Sequence, residues 1–281
     1  MSSFKPFIYN NSILFFNNQV LSWEVSTGGT GTGYVSQYQT VYNSFTTKPS
    51  SDVATAQNTM VSSLVSGGVW AKLDLFYCFA NDTSANALVN WVTPGSYTCS
   101  LVNNPSFNTL EGFTGDGATR YIDTTFNAST NGVHYTRLNA AISVYTRLNQ
   151  PEGYYFVLGA SDSYSHTYIS PYQFSALYGT LNTVAGGVSS ATVSNSQGLS
   201  TITRNSGNLY AYRNDVSLSN STIYWDNSAP SANFEVLRQG NGFWSSNEVS
   251  FVAIGGILTT NDVSTLYHSI QTYMTSNGKQ V

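Results

Sequence analysis

The stretch of residues 199–218 reads LSTITRNSGNLYAYRNDVSL and shows a strand pattern clearly. Within it, residues 199–203 and 209–213 are short runs rich in β-branched, aromatic and apolar side chains, which is typical of β-strands. Asn214 and Asp215 follow the second run, and this pair favours a tight hairpin turn. The stretch therefore predicts consecutive antiparallel strands.

The same pattern extends outward from this stretch. Between residues 101 and 256, short strand-like runs are separated by turn residues every 8–12 positions or so, which is the pattern of a sandwich or barrel. Ser, Thr, Asn, Gly and Tyr dominate, whereas only 9% of the residues are charged. Because this composition suits strands and turns better than helices, the sequence predicts an all-β protein.

Two helices are predicted, one near residues 52–66 and one near residues 260–277. Ser50 supplies N-cap chemistry for the first helix, and Thr259 with Asp262 resembles a capping box at the start of the second. After the first helix, residues 69–80 form a nearly continuous apolar run, which predicts a buried strand.

The predicted domain organisation has a boundary near residue 48. Residues 1–48 are interpreted as an attachment or assembly segment, with strands within residues 7–16 and 20–25. The glycine-rich residues 26–33 lack the Gly-Lys-Ser/Thr ending of a phosphate-binding loop and are interpreted as a flexible connection. Residues 49–281 form the predicted sandwich domain.

Composition excludes several classes of partner. The chain has 10 Lys+Arg and a net charge of −4, which argues against nucleic acid. Its apolar stretches are far shorter than the ~20 residues of a membrane helix, and its N-terminus does not resemble a signal peptide. We therefore expect a protein made in the cytoplasm. Cys78 is expected to be a buried free thiol, and a disulfide to Cys99 is the alternative.

Several segments together resemble a module of tailed-bacteriophage and prophage structural proteins. They are residues 69–74, 79–80, 90–91, 107, 112–124 and 126–127, and near the C-terminus 258–262, 266–267 and 271–274. The resemblance covers about residues 49–281. The module often has Asn-Gly where this chain has Asn214 and Asp215, a tolerable exchange in a turn.

This resemblance implies a concanavalin A-like, or laminin-G-like, antiparallel jelly-roll sandwich. With the patterns above, the expected fold is an all-β jelly-roll sandwich with two flanking helices and a short β-rich N-terminal segment. The resemblance also implies a virion component that assembles with other virion subunits, as a homo-oligomer. It brings no catalytic residues.

Concanavalin-like sandwiches include glycoside hydrolases, which need paired carboxylates. The sequence has no Glu-x-Asp-x-Glu run, Glu235 is isolated, and Asp116 and Asp123 fall on opposite faces of a regular strand. We therefore expect no enzymatic activity, with a glycoside hydrolase as the less favoured alternative.

Metal binding is also weakly supported by the residue pattern. The three His residues are too far apart for a zinc-binding spacing. Asp116 and Asp162 stand in loops whose oxygens suit calcium, but isolated carboxylates are more typical of turn formation. No metal and no cofactor are predicted.

Aromatic side chains flanked by polar residues are the candidate ligand-binding residues. Such rings are apolar with a polar tip, which suits sugar stacking or protein docking, although many must simply fill the core. The candidates are Tyr164, His166, Tyr168, Tyr172, Trp225, Asp226 and Trp244.

The functional hypothesis is a non-enzymatic bacteriophage virion structural protein, of the tail- or head-attached fibre or adhesin type, that contacts host-surface glycan. A nearly uncharged surface rich in hydroxyl and amide groups suits such contacts. The alternative is a capsid decoration or tail-associated structural subunit with no receptor role.

Overall fold

A computed structural model describes residues 8–9, 12–13, 33–151, 153, 155–184, 189–223, 226–240 and 242–281. The chain divides into two compact units, Met1–Tyr34 and Val35–Val281. In the first unit, β1 (Ile8–Tyr9) pairs with β2 (Ser12–Ile13) in antiparallel register. The predicted strand at 20–25 and residues 26–32 of the glycine-rich segment lie outside the described residues.

The second unit is built on two antiparallel sheets, with strands numbered in chain order. The seven-stranded sheet runs, in spatial order, β12 (Ser189–Thr192), β11 (Ala176–Thr183), β10 (His166–Gln173), β9 (Leu158–Ser161), β16 (Asn233–Val236), β7 (Tyr121–Asn127) and β4 (Ser100–Val102). The eight-stranded sheet runs β15 (Val216–Thr222), β14 (Asn208–Arg213), β13 (Gly198–Asn205), β8 (Asn139–Thr146), β19 (Glu248–Gly255), β6 (Gly112–Thr114) and β5 (Ser106–Asn108), with β3 (Leu73–Cys78) also paired to β19.

The two sheets pack face to face around one hydrophobic core. Ile142 and Ile202 of the eight-stranded sheet and Ile169 and Phe234 of the seven-stranded sheet lie in this core, all fully buried. The predicted hairpin is present: Asn214 takes a positive φ of 58° in the turn between β14 and β15. The all-β sandwich fold expected from the sequence is confirmed.

Short helices and one further hairpin complete the unit. The helices are α1 (Ser36–Ser44), α2 (Ser51–Ser66), α3 (Ser84–Ala87), α4 (Ala128–Asn131) and α5 (Thr260–Ser276), with a 3-10 turn at Trp70–Lys72. Strands β17 (Arg238–Gln239) and β18 (Phe243–Trp244) form a small hairpin directly after β16. The N-cap of α2 is Ser50, and Thr259 and Asp262 form the capping box of α5.

Helices cover the outer face of the eight-stranded sheet. Leu75 and Tyr77 of β3 lie in the sandwich core. Phe76, between them, faces the other way and contacts Phe251 of β19 at 6.0 Å between ring centroids. Phe251 in turn contacts Tyr273 of α5 at 5.7 Å. Because β3 is buried on both faces, its sequence is apolar apart from Asp74 and does not alternate.

The sandwich unit begins earlier than the predicted domain boundary near residue 48. Helix α1 belongs to it because Tyr38 and Val41 are fully buried. The hydroxyl of Tyr38 donates a hydrogen bond to Gln57 of α2 at 2.7 Å, and its ring lies 6.0 Å from that of Trp91. Residues 35–48 therefore belong to the same compact unit as the sandwich.

Cys78 and Cys99 are both buried and unpaired in the structure. Burial raises the pKa of each thiol well above its ordinary value. Among the residues that the structure describes, none of the helices has the length and apolar character needed to cross a membrane.

Candidate functional site

One row of residues crosses the outer face of the seven-stranded sheet. Cross-strand pairing runs in order through Asp123, Glu235, Gly159, Tyr168 and Thr180. Sequence neighbours of these residues lie in the sandwich core, among them Ile122, Phe234 and Ile169. Since side chains alternate along a strand, the row faces away from the core.

The β17–β18 hairpin folds beside this row and creates a groove of about 900 Å³. Gln239 of the hairpin lies directly on β9, where a Cβ atom at Gly159 would come within 2.5 Å of its Cγ. Glycine at position 159 therefore lets the hairpin approach the sheet. The side chains that line the groove include Asp123, Phe156, Tyr168, Glu235, Arg238 and Phe243.

An aromatic wall, formed by Phe156, Tyr168 and Phe243, occupies one side of the groove. The ring of Phe156 lies 4.4 Å from that of Tyr168 and 4.7 Å from that of Phe243. Phe156 is buried, whereas Phe243 is 42% exposed. Burial, with a contribution from Tyr178, raises the pKa of Tyr168 to about 12, so its hydroxyl keeps its proton. The wall offers an apolar face with a hydrogen-bonding tip.

A carboxyl pair, formed by Asp123 and Glu235, lies across the groove floor on neighbouring strands. Directly opposite residues of an antiparallel pair have Cβ atoms about 4.5–5.5 Å apart. The side chain of Glu235 is 16% exposed. Burial raises the pKa of Glu235 to about 7; nearby Arg238 opposes this effect, and the charge of Asp123 adds to it. Asp123 accepts hydrogen bonds from the backbone N–H of Thr125 at 2.7 Å and from Asn233 Nδ2 at 3.1 Å.

Arg238 is fixed from several sides. Its Nε lies 3.1 Å from Oε2 of Glu235, and it donates a hydrogen bond to the carbonyl of Gly240. Its guanidinium carbon lies 4.4 Å from the ring centroid of Tyr121 and 4.6 Å from that of Trp244. These cation–π contacts hold the cation in place at the groove edge.

A loop between β9 and β10 closes the other end of the groove. Asp162 accepts hydrogen bonds from the backbone N–H groups of Tyr164 and Ser165 at 2.8 Å and of Ser231 at 2.7 Å. Burial raises the pKa of Asp162, but these hydrogen bonds outweigh it and lower the pKa to about 2. His166 lines the groove nearby, with its Nδ1 2.5 Å from Ser161 Oγ.

The residues predicted from sequence lie in different places. His166 and Tyr168 line the groove. Tyr164 is exposed on the β9–β10 loop and Tyr172 is half-buried near the end of β10; neither lines the groove. Trp244 lies behind Arg238 rather than in the groove. Trp225 lies outside the described residues.

Asp226, another of the predicted binding residues, is engaged in two ion pairs. Its Oδ1 contacts Arg204, whose side chain is almost fully buried, and its Oδ2 contacts Arg137. Arg204 lies on β13 and donates to the carbonyls of Leu181 and Asn182 on β11, at 2.9 Å each. Asp226 therefore takes part in a link between the two sheets.

The two loop carboxylates weighed as calcium ligands hold their own turns. Asp116 accepts hydrogen bonds from the backbone N–H groups of Ala118, Thr119 and Arg120, at 2.9, 2.7 and 2.9 Å. These bonds lower the pKa of Asp116 far below its ordinary value. Across the described portion of the chain, no group of three or more His, Cys, Asp or Glu side chains could hold a metal ion.

Sequence reasoning missed the carboxyl pair. No acids are spaced along one strand and Glu235 is isolated in sequence, whereas Asp123 and Glu235 meet across two strands that are distant in sequence. Only the strand order, β16 beside β7, reveals the pair. A weaker signal existed for the aromatic wall, because Phe156 and Phe243 stand in aromatic clusters of the sequence.

No protein-family model matches the sequence, and no curated protein matches it. Among solved structures, the receptor-binding domain of the botulinum neurotoxin C/D mosaic serotype gives a TM-score of 0.52 at 14% identity, over 71% of this chain and 51% of that one. Botulinum neurotoxin type C, whose uptake into cells depends on two ganglioside molecules, gives 0.51 at 16% identity, over 73% and 53%.

A further similar structure is domain 4 of AbnA, an arabinanase from Geobacillus stearothermophilus, in complex with arabinotriose. Its TM-score is 0.49 at 15% identity, over 70% of this chain and 98% of that one. The chain spans about half the length of the neurotoxin chains that it matches. The likeness to the neurotoxin domains shows a β-sandwich of the jelly-roll kind.

Proposed function

We propose that the chain is a component of a bacteriophage particle that binds carbohydrate on the host surface, without cleaving it, in the groove across its seven-stranded sheet. The observation that carries the binding role is the aromatic wall beside the carboxyl pair. Sugar rings present apolar C–H faces and hydroxyl edges, so an aromatic surface next to hydrogen-bond acceptors complements both.

The likeness to a neurotoxin that interacts with gangliosides supports this role at the level of fold. The groove is also large enough for a ligand, since its volume of about 900 Å³ falls within the usual 300–1,000 Å³ of binding pockets. The aromatic wall is partly exposed at Phe243, where an incoming ring has access.

A glycan array probed with purified protein tests the binding role. Phe243→Ala removes the exposed ring of the wall, and we expect it to weaken binding at least tenfold. Val216→Ala is the matched control, because Val216 is an equally accessible apolar residue on β15 of the other sheet. Equal binding by wild type and Phe243→Ala, or no binding by wild type to any glycan or to host envelope material, contradicts the proposal.

The particle assignment rests on the resemblance of the quoted sequence segments to phage structural modules. A reconstruction of the intact particle tests it and separates two roles. In a host-contacting role the groove faces solvent on the particle surface. In a decoration or tail-associated role, neighbouring subunits bury the groove, with interfaces that often exceed about 2,000 Å².

Cleavage of the bound glycan is a second candidate function, favoured by the carboxyl pair alone. Retaining glycoside hydrolases hold two carboxyl groups about 5–5.5 Å apart, one of them with a raised pKa. Incubation with the polysaccharides bound on the array, followed by a reducing-end assay, decides between the candidates. Release of reducing ends that disappears in both Asp123→Asn and Glu235→Gln establishes hydrolysis; no release supports binding alone.

A further inference from the structure

We infer that the groove selects neutral glycans and rejects acidic ones, such as those bearing sialic or uronic acids. This inference rests on the proposed carbohydrate-binding function and adds the ligand class. The supporting observation is that some charged groups in the groove are already paired within the protein, whereas others can still form hydrogen bonds to a ligand.

The groove carries more negative than positive groups. Its acids are Asp123, Asp162 and Glu235, and Arg238 is the single Lys or Arg among the described residues that line it. An acidic sugar needs a cation with free donors in order to offset the loss of its hydration.

Arg238 is already engaged by the protein, because its Nε serves both Glu235 and Gly240 and its guanidinium lies near two aromatic rings. It is paired with Glu235 at 3.1 Å, it donates to the carbonyl of Gly240, and its planar group lies near the rings of Tyr121 and Trp244. A ligand carboxylate that reached Arg238 would lie close to Glu235, whose negative charge would repel it. The positive charge therefore serves to hold the carboxyl pair.

Asp162 is also fully used by the protein. It accepts three backbone N–H groups, from Tyr164, Ser165 and Ser231, and the Ser231 hydroxyl at 2.9 Å. His166 has its Nδ1 at Ser161 Oγ. Among the carboxylates of the groove, the acceptor capacity left for a ligand therefore lies mainly on the carboxyl pair.

The carboxyl pair suits the hydroxyl groups of an uncharged sugar. Carboxylates accept hydrogen bonds and, when ionised, do not donate them, so they pair with hydroxyl groups and repel anions. Because Asp123 and Glu235 project from directly opposite positions on β7 and β16, they can accept from hydroxyl groups of one ring. The aromatic wall then lies beside the ring face.

The test uses an array of purified bacterial surface polysaccharides, neutral ones and ones bearing sialic or uronic acids, at pH 8 and low salt. Wild type, Asp123→Asn and Glu235→Gln are compared. Asp215→Asn is the matched control, since it removes the same charge from the β14–β15 turn of the other sheet. Urea denaturation checks that every variant is folded.

We expect wild type to bind neutral polysaccharides at least tenfold more tightly than acidic ones. Both groove variants should reduce the ratio of the affinity for neutral polysaccharides to that for acidic ones at least threefold, whereas Asp215→Asn should leave this ratio unchanged. The inference is overturned if the groove binds acidic polysaccharides more tightly than neutral ones, or if neither groove variant changes the ratio of the two affinities. In both cases the proposed carbohydrate binding itself stands. If wild type binds no polysaccharide, or if Phe243→Ala binds as well as wild type, the proposed function fails and this inference fails with it.

Discussion

The outer faces of the two sheets differ in what covers them. On the eight-stranded sheet, outward Phe76 and Phe251 are closed off by helix α5, with α2 packed beside it. On the seven-stranded sheet, the outward positions of β7 and β16 carry Asp123 and Glu235, and among the described residues the small β17–β18 hairpin lies beside them. The outer face of the eight-stranded sheet is packed against helices and contributes to stability, whereas the groove on the seven-stranded sheet is accessible to a ligand.

This difference follows from the choice of residue at alternate strand positions. A strand covered on both faces is apolar at nearly every position, as β3 is apart from Asp74, and each of its rings is a packing contact. A strand with one open face places polar groups there, which can meet a ligand. Substitutions on the two faces should therefore change different properties, stability on the covered face and binding on the open one.

The largest expected effect is on the covered face. Phe251→Ala removes a buried ring that contacts Phe76, Tyr145 and Tyr273. We expect it to lower the free energy of unfolding by about 3–5 kcal/mol, because a cavity remains where the ring was. Urea denaturation measures this loss. The same truncation on the open face, Phe243→Ala, should cost less than about 1 kcal/mol; equal costs would erase the distinction between the faces.

A slightly smaller loss is expected from the link between the sheets. Arg204→Met leaves the carbonyls of Leu181 and Asn182 without their donor in a buried position, which should cost about 3 kcal/mol. Arg137→Met is the matched control, because Arg137 bonds to the same Asp226 from an exposed site. Its cost in a urea titration should stay below about 1 kcal/mol. Similar losses for the two variants would show that the buried Arg204 contributes no more to the free energy of unfolding than the exposed Arg137 does.

Much of the covered face could be predicted from sequence. The continuous apolar run around β3 predicted a buried strand, and Ser50, Thr259 and Asp262 marked the helix starts. These signals are local, since each depends on a few consecutive residues. Helix α1 was missed because its buried residues, Tyr38 and Val41, are too few to give a clear periodic pattern.

The open face was less predictable for a physical reason. Its site depends on which strands are neighbours, and β7 and β16 are joined by a long excursion through other strands. Tyr168 was recognised as a candidate because it stands in an aromatic cluster, whereas Glu235 was dismissed because no acid lies near it in sequence. Cross-strand proximity leaves no trace in a single sequence, so only the fold could reveal the carboxyl pair.

A third prediction concerns the pH dependence of stability on the open face. Folding raises the pKa of Glu235 from 4.5 to about 7, because burial disfavours its charged form. The folded state therefore binds this proton more tightly than the unfolded chain, and the resulting stability is present below about pH 4.5 and lost as the pH rises through about 7. Glu235→Gln mimics the protonated form of Glu235 and should therefore keep this stability as the pH rises.

We therefore expect Glu235→Gln to match wild type near pH 4.5 and to exceed its free energy of unfolding by on the order of 2 kcal/mol at pH 8, allowing for partial solvent screening. Urea titrations at a series of pH values measure the difference. A constant offset between the two proteins at every pH would mean that Glu235 does not titrate in this range.

The smallest expected effect comes from a charge on the covered side that lies outside the helix packing. Asp215 Oδ2 lies 3.2 Å from His268 Nε2, and the two side chains are 38% and 62% exposed. Water and salt screen such a pair, so Asp215→Asn should change the free energy of unfolding by less than about 0.5 kcal/mol. Asp215→Asn removes the same charge as Asp123→Asn does, but Asp215 does not line the groove. If Asp215→Asn altered glycan binding as strongly as the groove variants do, the effect of those variants would reflect the net charge of the protein. The difference between the open face and the covered face would then not explain glycan binding.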